Sequence, residues 1–307
     1  MTAITVIIPT YGRADMIGRS VQAVLANDHP DFDVIVVDQS PDDSTGEVVR
    51  AVAATDPRLR YVHTVPPGLS RAYNIGAALA NADLLAFTDD DCVAAPNWIS
   101  AVARAFASEP DADMLYGVVA RAPSIPEEAG EVPKLLIERP ERLDRRRGFR
   151  LYGMGANFAA RRAFLERIGG FDEILGGGGP LRSSQDFDLQ YRAYLAGAVV
   201  LLRPEVSVDH YGLRNPQEWS RTLRAYGIGD AAFYLKHIRC GDGRAGRLLA
   251  TRVVRLTARH VRHLVDRRRP SQAAYLRAYV EGAVQSLRYP IDRHRRLYRP
   301  RVVGRST

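Results

Sequence analysis

The chain is poor in sulfur and has no long apolar run. Its 307 residues include 2 cysteines, Cys92 and Cys240. They lie too far apart to suggest a disulfide framework or the Cys/His spacing of a zinc module, and such usage suits a reducing compartment such as the cytoplasm. The most apolar stretch, around residues 193–202, is broken by Gly197 and falls far short of the roughly 20 residues that span a bilayer. The N-terminus opens on Ile4-Thr5-Val6-Ile7-Ile8 with no basic leader or cleavage site, so no secretory signal is expected. Neither GxGxxG nor a Walker pattern follows a candidate strand, which argues against a dinucleotide or ATP fold. Internal repeats and low-complexity blocks are missing too.

What is present is globular: 46% hydrophobic and 25% charged, ample for one large or two modest domains. The net charge of +8 hides a split. Residues 215–307 carry 21 Lys and Arg against 6 Asp and Glu, and residues 1–214 carry 22 against 29. A mildly acidic body with a strongly basic appendage suggests an acidic partner for the latter.

The body alternates apolar runs with helical patterns. Strands are expected over Ala3–Pro9, Asp33–Asp38, Leu59–His63 and Leu84–Thr88, and helices over Ala14–Ala26, after a capping turn at Ser40–Thr45 to about Ala53, and over Leu69–Asn81. Strands alternating with helices of this length predict an α/β fold, a mostly parallel sheet with helices on both faces. Leu84–Thr88 runs straight into Asp89, Asp90 and Asp91. In an open parallel sheet, ligands bind beyond the carboxyl ends of the strands. Three adjacent carboxylates repel one another unless a cation is present, and short-loop oxygen ligands suit Mg2+ or Mn2+. Taken alone, the triplet reads more readily as a solvated acidic turn.

The other strand ends lie on the same edge of the sheet. Pro9, Thr10, Tyr11 and Arg13 follow the first strand, and Asp38 ends the second. A Tyr or Pro face can stack on a base, an Asp can accept from a base N–H or a ribose hydroxyl, and Arg13 can face a phosphate. Together they describe a nucleoside diphosphate site without a glycine-rich loop. Arg71 and Asn74 share one face of the third helix. That face turns either towards the phosphates or to solvent.

The series Val6-Ile7-Ile8-Pro9-Thr10-Tyr11-Gly12-Arg13, Val36-Val37-Asp38, Arg71-Ala72-Tyr73-Asn74-Ile75-Gly76 and Phe87-Thr88-Asp89-Asp90-Asp91 resembles a family 2 glycosyltransferase of the GT-A fold, in order and spacing as well as in the words themselves. The resemblance covers about residues 3–212. It implies an inverting, metal-assisted transfer of sugar from a nucleoside diphosphate sugar, UDP being favoured by family habit, to a hydroxyl acceptor. Implied donor contacts are Pro9, Thr10, Tyr11, Arg13, Asp38, Arg71, Asn74, Asp89, Asp90 and, from a Gly-x-Asn segment, Asn157. Implied ligands of Mn2+ or Mg2+ are Asp91, Asp90 and His210. In Ser183-Ser184-Gln185-Asp186-Phe187-Asp188 the family has Glu-Asp, and its Asp is the general base. That role falls on Asp186, with Asp188 as its substitute. Gln185 stands where the family has Glu, so Gln185 and Asp188 are expected on the acceptor side. Residues 121–150, with Pro123, Pro126, Pro133 and Pro140, are expected to form a surface insertion or a loop over the cleft.

The expected domains are therefore a catalytic body, 1–214, with a nucleotide-binding half (about 1–120) and an acceptor half (about 121–214), and a basic helical region, 215–307. Arg244, Arg247, Arg252, Arg255, Arg259 and Arg262 share one arc of a helical wheel, with Leu249, Val253, Val254, Val261, Leu264 and Val265 mostly opposite. Such a helix suits an anionic membrane surface, engaged through residues 244–301. It also reads as a helix packed on the body. A second stripe, Tyr275, Leu276, Tyr279, Val280, Ala283, Val284 and Leu287, is expected against the first helix. The acceptor would then be a lipid-linked or surface saccharide, and the location cytoplasmic, on the inner face of the membrane. No nucleic acid is expected, since the aromatics lie on apolar faces. The alternatives are a sugar nucleotidyltransferase, which would normally show a glycine-rich Lys-containing loop, or a non-catalytic nucleotide-sugar- or nucleic-acid-binding protein.

Overall fold

The computed structural model describes residues 2–265 and 272–301, with the side chains at 259–265 and 272–274 left out of the description. The expected contributions of Arg259, Val261, Arg262, Leu264 and Val265 therefore lie outside the described side chains. Two compact units divide the chain. One is Met1–Phe171 with Leu189–Asn215, the other Asp172–Asp188 with Pro216–Thr307.

The first unit opens with β1 (Ile4–Thr10), α1 (Ala14–Leu25), β2 (Phe32–Asp38), α2 (Ser44–Ala53), β3 (Leu59–His63), α3 (Leu69–Leu79) and β4 (Leu84–Thr88). These follow the alternation that the sequence predicts, with bounds moved by a residue or two. Next come β5 (Cys92–Ala94), α4 (Trp98–Ser108), β6 (Met114–Arg121), β7 (Glu141–Leu143), β8 (Asn157–Arg161), α5 (Arg162–Arg167), α6 (Gln185–Leu195), whose first turn belongs to the second unit, and β9 (Val200–His210). The sheet runs β3-β2-β1-β4-β8-β6-β9-β5, with β7 on β9. Strands β3, β2, β1 and β4 are parallel, and β8 is antiparallel to both β4 and β6. The chain winds one way from β1 to β2 and the other way to β4, so the crevice at the carboxyl ends of β1 and β4 is the topological switch point where such sheets bind ligands.

All seven residues of β1 are buried, which explains why the run does not alternate apolar with polar. Ile4, Val6 and Ile8 pack with Ile17, Val21 and Val24 of α1 and Trp98, Ile99 and Val102 of α4. Ile7 joins Ile35 and Val37 on the other face, against Ala72 and Tyr73 of α3 and Phe164 of α5. Each large side chain so buried contributes roughly 1.5–3 kcal/mol. The proline-broken stretch 121–150 is stitched to the sheet. Strand β7 pairs with β9, and Leu135 N–H donates to the Val119 carbonyl at 2.8 Å.

The second unit holds α7 (Pro216–Arg239), α8 (Gly243–Val265), α9 (Gln272–Ser286) and the hairpin β10 (Ile291–Asp292)–β11 (Leu297–Tyr298). Residues 172–188, expected in the body, group here. Ile174, Leu175 and Leu181 share a core with Ile228, Ala232, Ala278 and Tyr298. Helix α9 lies on α7 rather than chiefly on α8 as expected. A Cβ on Gly227 would sit 2.7 Å from the Tyr275 carbonyl oxygen, and one on Gly282 would overlap the Ile228 carbonyl. The two glycines let these backbones approach as larger residues could not. The wheel arc of α8 is also divided. Arg252 turns inward, 3.4 Å from Asp230, while Val253 and Val254 are exposed. Among the described residues no helix is long and apolar enough to cross a membrane.

Candidate active site

The site grows from strand register. Cys92 of β5 pairs with His210 at the end of β9, which sets His210 beside Asp91, at the turn after β4. The Asp91 carbonyl accepts from Tyr211 N–H at 2.8 Å, closing the corner. Nε2 of His210 lies 3.2 Å from Oδ1 of Asp91, and its Nδ1 lies 2.7 Å from the Pro133 carbonyl. If Nδ1 carries the proton for Pro133, Nε2 is left as a lone pair for a ligand. The stretch 121–150 thus orients a site residue, which proline spacing could not foretell.

The three aspartates have different partners. Asp90 accepts from the Thr10 hydroxyl at 2.7 Å, and its backbone carbonyl accepts from Ser20 at 2.6 Å. Asp89 accepts from the Tyr73 hydroxyl at 2.8 Å. Asp91 faces His210 and, at 3.5 Å, Arg13. Burial, then the charge of Asp91, push the Asp90 carboxyl up to about 7. The same two causes raise Asp89. Burial alone would raise Asp91 as well, but the bond and charge of His210, with Arg13 and Arg214, outweigh it and hold its carboxyl below the usual range. Burial works against a charged His210, yet Asp91 raises its pKa on balance.

Asp91, Cys92 and His210 are buried and offer donor atoms all within 4.8 Å of one another. Burial raises the Cys92 thiol well above its ordinary range, and Asp89 and Asp91 add to this, so Cys92 is a poor ligand next to a carboxylate and an imidazole. Asp91 and His210 are the donors of that group that suit a divalent cation, with Asp89 and Asp90, held by Tyr73 and Thr10, next to Asp91 in the chain. Carboxylate oxygens suit Mg2+ and Mn2+, and imidazole is a frequent partner of transition ions. Gly212 keeps the place open. A Cβ there would stand 2.6 Å from Oδ2 of Asp91 and 2.8 Å from Nε2 of His210.

The structure thus brings Thr10, Arg13, Asp89, Asp90, Asp91 and His210 together. Pro9 is buried in β1, and Tyr11, 53% exposed, stands free at its end. Arg71 donates to the Val65 carbonyl at 3.2 Å. Four other expected contacts are engaged by partners within the fold. Asn157 is fully buried; its amide donates to the Val118 and Val206 carbonyls at 2.8 and 3.0 Å and accepts from Trp98 Nε1 at 2.9 Å. These bonds make it a bracket between β8, β6, β9 and α4. Asn74 exchanges two hydrogen bonds with the Phe171 backbone, at 2.8 and 3.0 Å. Asp38 is fully buried and accepts from Ser40 N–H and from the Tyr61 hydroxyl, both at 2.8 Å. Asp188 is fully buried against Lys236 and His237. Gln185 and Asp186 stand partly exposed in the first turn of α6, in the second unit. Sequence reasoning missed the Tyr73 hydroxyl, the Pro133 carbonyl and Gly212. Only Tyr73, inside the Arg71–Gly76 motif, gave any signal.

Comparison with known proteins bears on this geometry. Residues 5–169 match the model of "Glycosyl transferase family 2". Validoxylamine A glucosyltransferase of Streptomyces hygroscopicus subsp. jinggangensis is 31% identical over 244 residues, 70% of this chain and 56% of that protein. Its counterpart from S. hygroscopicus subsp. limoneus is also 31% identical, over 70% of this chain and 52% of that one. The chain thus spans about half the length of these curated relatives. Among solved structures, a mannosyltransferase from Pyrobaculum calidifontis in complex with GDP-Man and Mn2+ superposes with a TM-score of 0.61 at 18% identity, over 92% of this chain and 87% of that one. TarS of S. aureus, residues 1–349 in complex with UDP, gives 0.56 at 20% identity, over 74% and 65%. These two share the fold. The family match covers more than half of the chain and falls on the strands and loops that build the aspartate cluster, and by it this protein belongs to glycosyl transferase family 2.

Proposed function

We propose that the chain transfers a sugar from a nucleoside diphosphate sugar to a hydroxyl acceptor, with inversion at the anomeric carbon. The observation that carries this reading is the cluster of Asp89 with the buried Asp90, Asp91 and His210 at the switch point of the sheet, two of whose carboxyls are raised by burial and by Asp91. Asp91, Asp90 and His210 would hold Mn2+ or Mg2+. The chemistry supplied by the cation, when bound, is neutralisation of the diphosphate, so that the leaving group needs no proton. Thr10 fixes Asp90, Tyr73 fixes Asp89, and Arg13 supplies a positive charge beside Asp91. Tyr11 offers an exposed ring to the nucleobase. Asp186 takes the proton of the acceptor hydroxyl as its oxygen attacks the anomeric carbon. A single displacement needs one catalytic carboxylate, unlike the pair in most glycosidases.

Support for the donor comes from the neighbours of known structure, one holding GDP-Man with Mn2+ and the other UDP. UDP remains the favoured base, with GDP the first competitor. The acceptor reading, a lipid-linked or surface saccharide handled at the inner face of a membrane, rests on the basic region. Arg247 and Arg255 are exposed there, along with Val253, Val254, Val280, Val284 and Leu287.

A thermal-shift screen of UDP, GDP, dTDP and CDP, each with and without Mn2+, tests the proposal. A ligand at one hundred times its dissociation constant adds about 2.7 kcal/mol to the native state. A metal-dependent shift with one nucleotide is expected and would identify the base. No shift with any of the four, on folded protein, would overturn the reading.

A further inference from the structure

Asp186 is bracketed by two buried anchors. Ser184, two residues before it, and Asp188, two residues after it, are 5% and 0% exposed, while Asp186 itself stays partly exposed, its Oδ1 accepting from Phe187 N–H at 2.9 Å. The Ser184 carbonyl accepts the first helical bond of α6, from Asp188 N–H at 2.9 Å. A Ser in that place normally caps the helix with its hydroxyl. Here the hydroxyl turns away and donates to Oδ1 of Asp230, at 2.8 Å, in α7. Asp230 is itself held by the Tyr275 hydroxyl of α9 at 2.5 Å and by Arg252 of α8 at 3.4 Å. The backbone of Ser184 lies at φ +67°, and that of Arg182 also at φ +67°. A non-glycine residue persists in this region only when its surroundings hold it there.

The second anchor is a buried ion cluster. Lys236 of α7 is fully buried, with Nζ 2.6 Å from Oδ2 of Asp172 and 2.6 Å from Oδ1 of Asp188. His237 Nε2 adds a contact to Asp188 at 2.9 Å, and Tyr298 N–H donates to Asp172 at 2.9 Å. Buried ion pairs are often no more stabilising than apolar residues of the same volume, so stability alone does not account for this one; they can instead fix one geometry. These contacts lie within the second unit, and together they use its helices α7, α8 and α9.

We infer that Ser184 and Lys236 are positioning residues for Asp186, and that the C-terminal helical region is a brace that fixes the direction of the base. This rests on the reading of Asp186 as base. It gives helices α7–α9 a task in the reaction itself, besides any surface that they contact.

Ser184→Gly is the variant that tests the brace. It deletes the hydroxyl, yet glycine takes φ +67° without penalty, so the lost hydrogen bond and the relieved strain offset each other and the melting temperature stays close to that of the parent. Two readouts apply to the full chain. Amide hydrogen exchange at residues 184–190 is expected to quicken about 10-fold or more, with the remainder of the chain unchanged. Release of UDP from UDP-glucose, or of GDP from GDP-mannose, with Mn2+ is expected to lose about 10- to 100-fold in kcat, with KM for the sugar nucleotide within about twofold. In an Asp186→Asn background the same substitution is expected to cost nothing further. Unchanged exchange at 184–190, or a kcat loss that repeats in full on top of Asp186→Asn, would overturn the brace. Full activity in Asp186→Asn alone would instead remove the base reading and the brace with it. An inactive Asp186→Asn beside an unaffected Ser184→Gly would sink the brace and leave the base standing.

Discussion

Gly212 faces the two side chains best suited to hold a cation, and its missing Cβ is what leaves room at Oδ2 of Asp91 and Nε2 of His210. Gly212→Ala puts a methyl group into that space. Metal-dependent affinity for UDP or GDP should fall by at least about tenfold, a loss of 1.4 kcal/mol, with little change in unfolding without metal. Titration calorimetry in the presence and absence of Mn2+ checks it, and unchanged affinity would place the ion elsewhere. Asn157 sets the opposite expectation. Asn157→Leu leaves Trp98 Nε1 and the Val118 and Val206 carbonyls without their partner. At about 1–3 kcal/mol for each buried polar group so stranded, unfolding in urea should show a loss of at least about 2 kcal/mol, while nucleotide affinity of the folded protein holds. A selective loss of affinity would place Asn157 in the donor site. The difference between these two residues marks what the sequence could tell. The aspartate triplet was readable because its chemistry is carried by three neighbours in the chain. The role of Asn157 depends on Val118 and Val206, 39 and 49 residues away, and no local pattern announces such partners.

Elements were legible where their cause is local. Strands β1 to β4 and helices α1 to α3 follow from apolar runs, turn residues and helical spacing, and they came out within a residue or two. The far half of the sheet was not legible in the same way. Inserting β8 antiparallel between β4 and β6, and running β9 beside β6, is a matter of pairing across long separations. The pairing of β5 with β9, which delivers His210 to Asp91, is of that kind. The C-terminal helices were recognised as helices, but not by their partners. Apolar spacing picks out a stripe without saying which neighbour covers it, and a stripe of Tyr275, Tyr279 and Val280 fits either α7 or α8. The glycines decide. Gly282→Ala would drive a methyl group into the Ile228 carbonyl. Overpacking of this sort costs about 1–3 kcal/mol, and urea unfolding followed by Trp219 fluorescence should show that loss from α7. An equally stable variant would mean that α9 can slide along α7 without penalty.

At the scale of the whole molecule, charge and apolar surface concentrate in one stretch of chain. Residues 215–307 carry an excess of 15 positive charges, and the first 214 residues a deficit of 7. The same stretch exposes Val254 and Val280, 67% and 66% accessible, together with Val253, Val284 and Leu287. Val280, Val284 and Leu287 follow one another at helical spacing, so they form a row rather than a scatter. Arg on its own would suit any polyanion, and an exposed apolar row any hydrophobic partner; the two together suit an interface that offers anionic headgroups above acyl chains. Such binding has two separable contributions. The electrostatic part is worth about 1 kcal/mol per basic residue near the surface and is screened by salt. The apolar part is worth about 25 cal/mol per Å² buried and is not. Flotation with vesicles of phosphatidylcholine containing about one third phosphatidylglycerol should therefore carry the protein upward at low salt, and less so at 0.5 M NaCl, about half a Debye length of that at physiological salt. Val280→Glu with Val284→Glu should abolish flotation even at low salt, since it removes the apolar row and adds like charge to the headgroups. Pure phosphatidylcholine should not float the parent protein. If the double variant floats as well as its parent, the row is not in contact with lipid and the attraction is charge alone, which a nucleic acid would satisfy equally. If neither floats, the basic helices face inward tasks only, and the brace on Asp186 is then their whole contribution to the reaction.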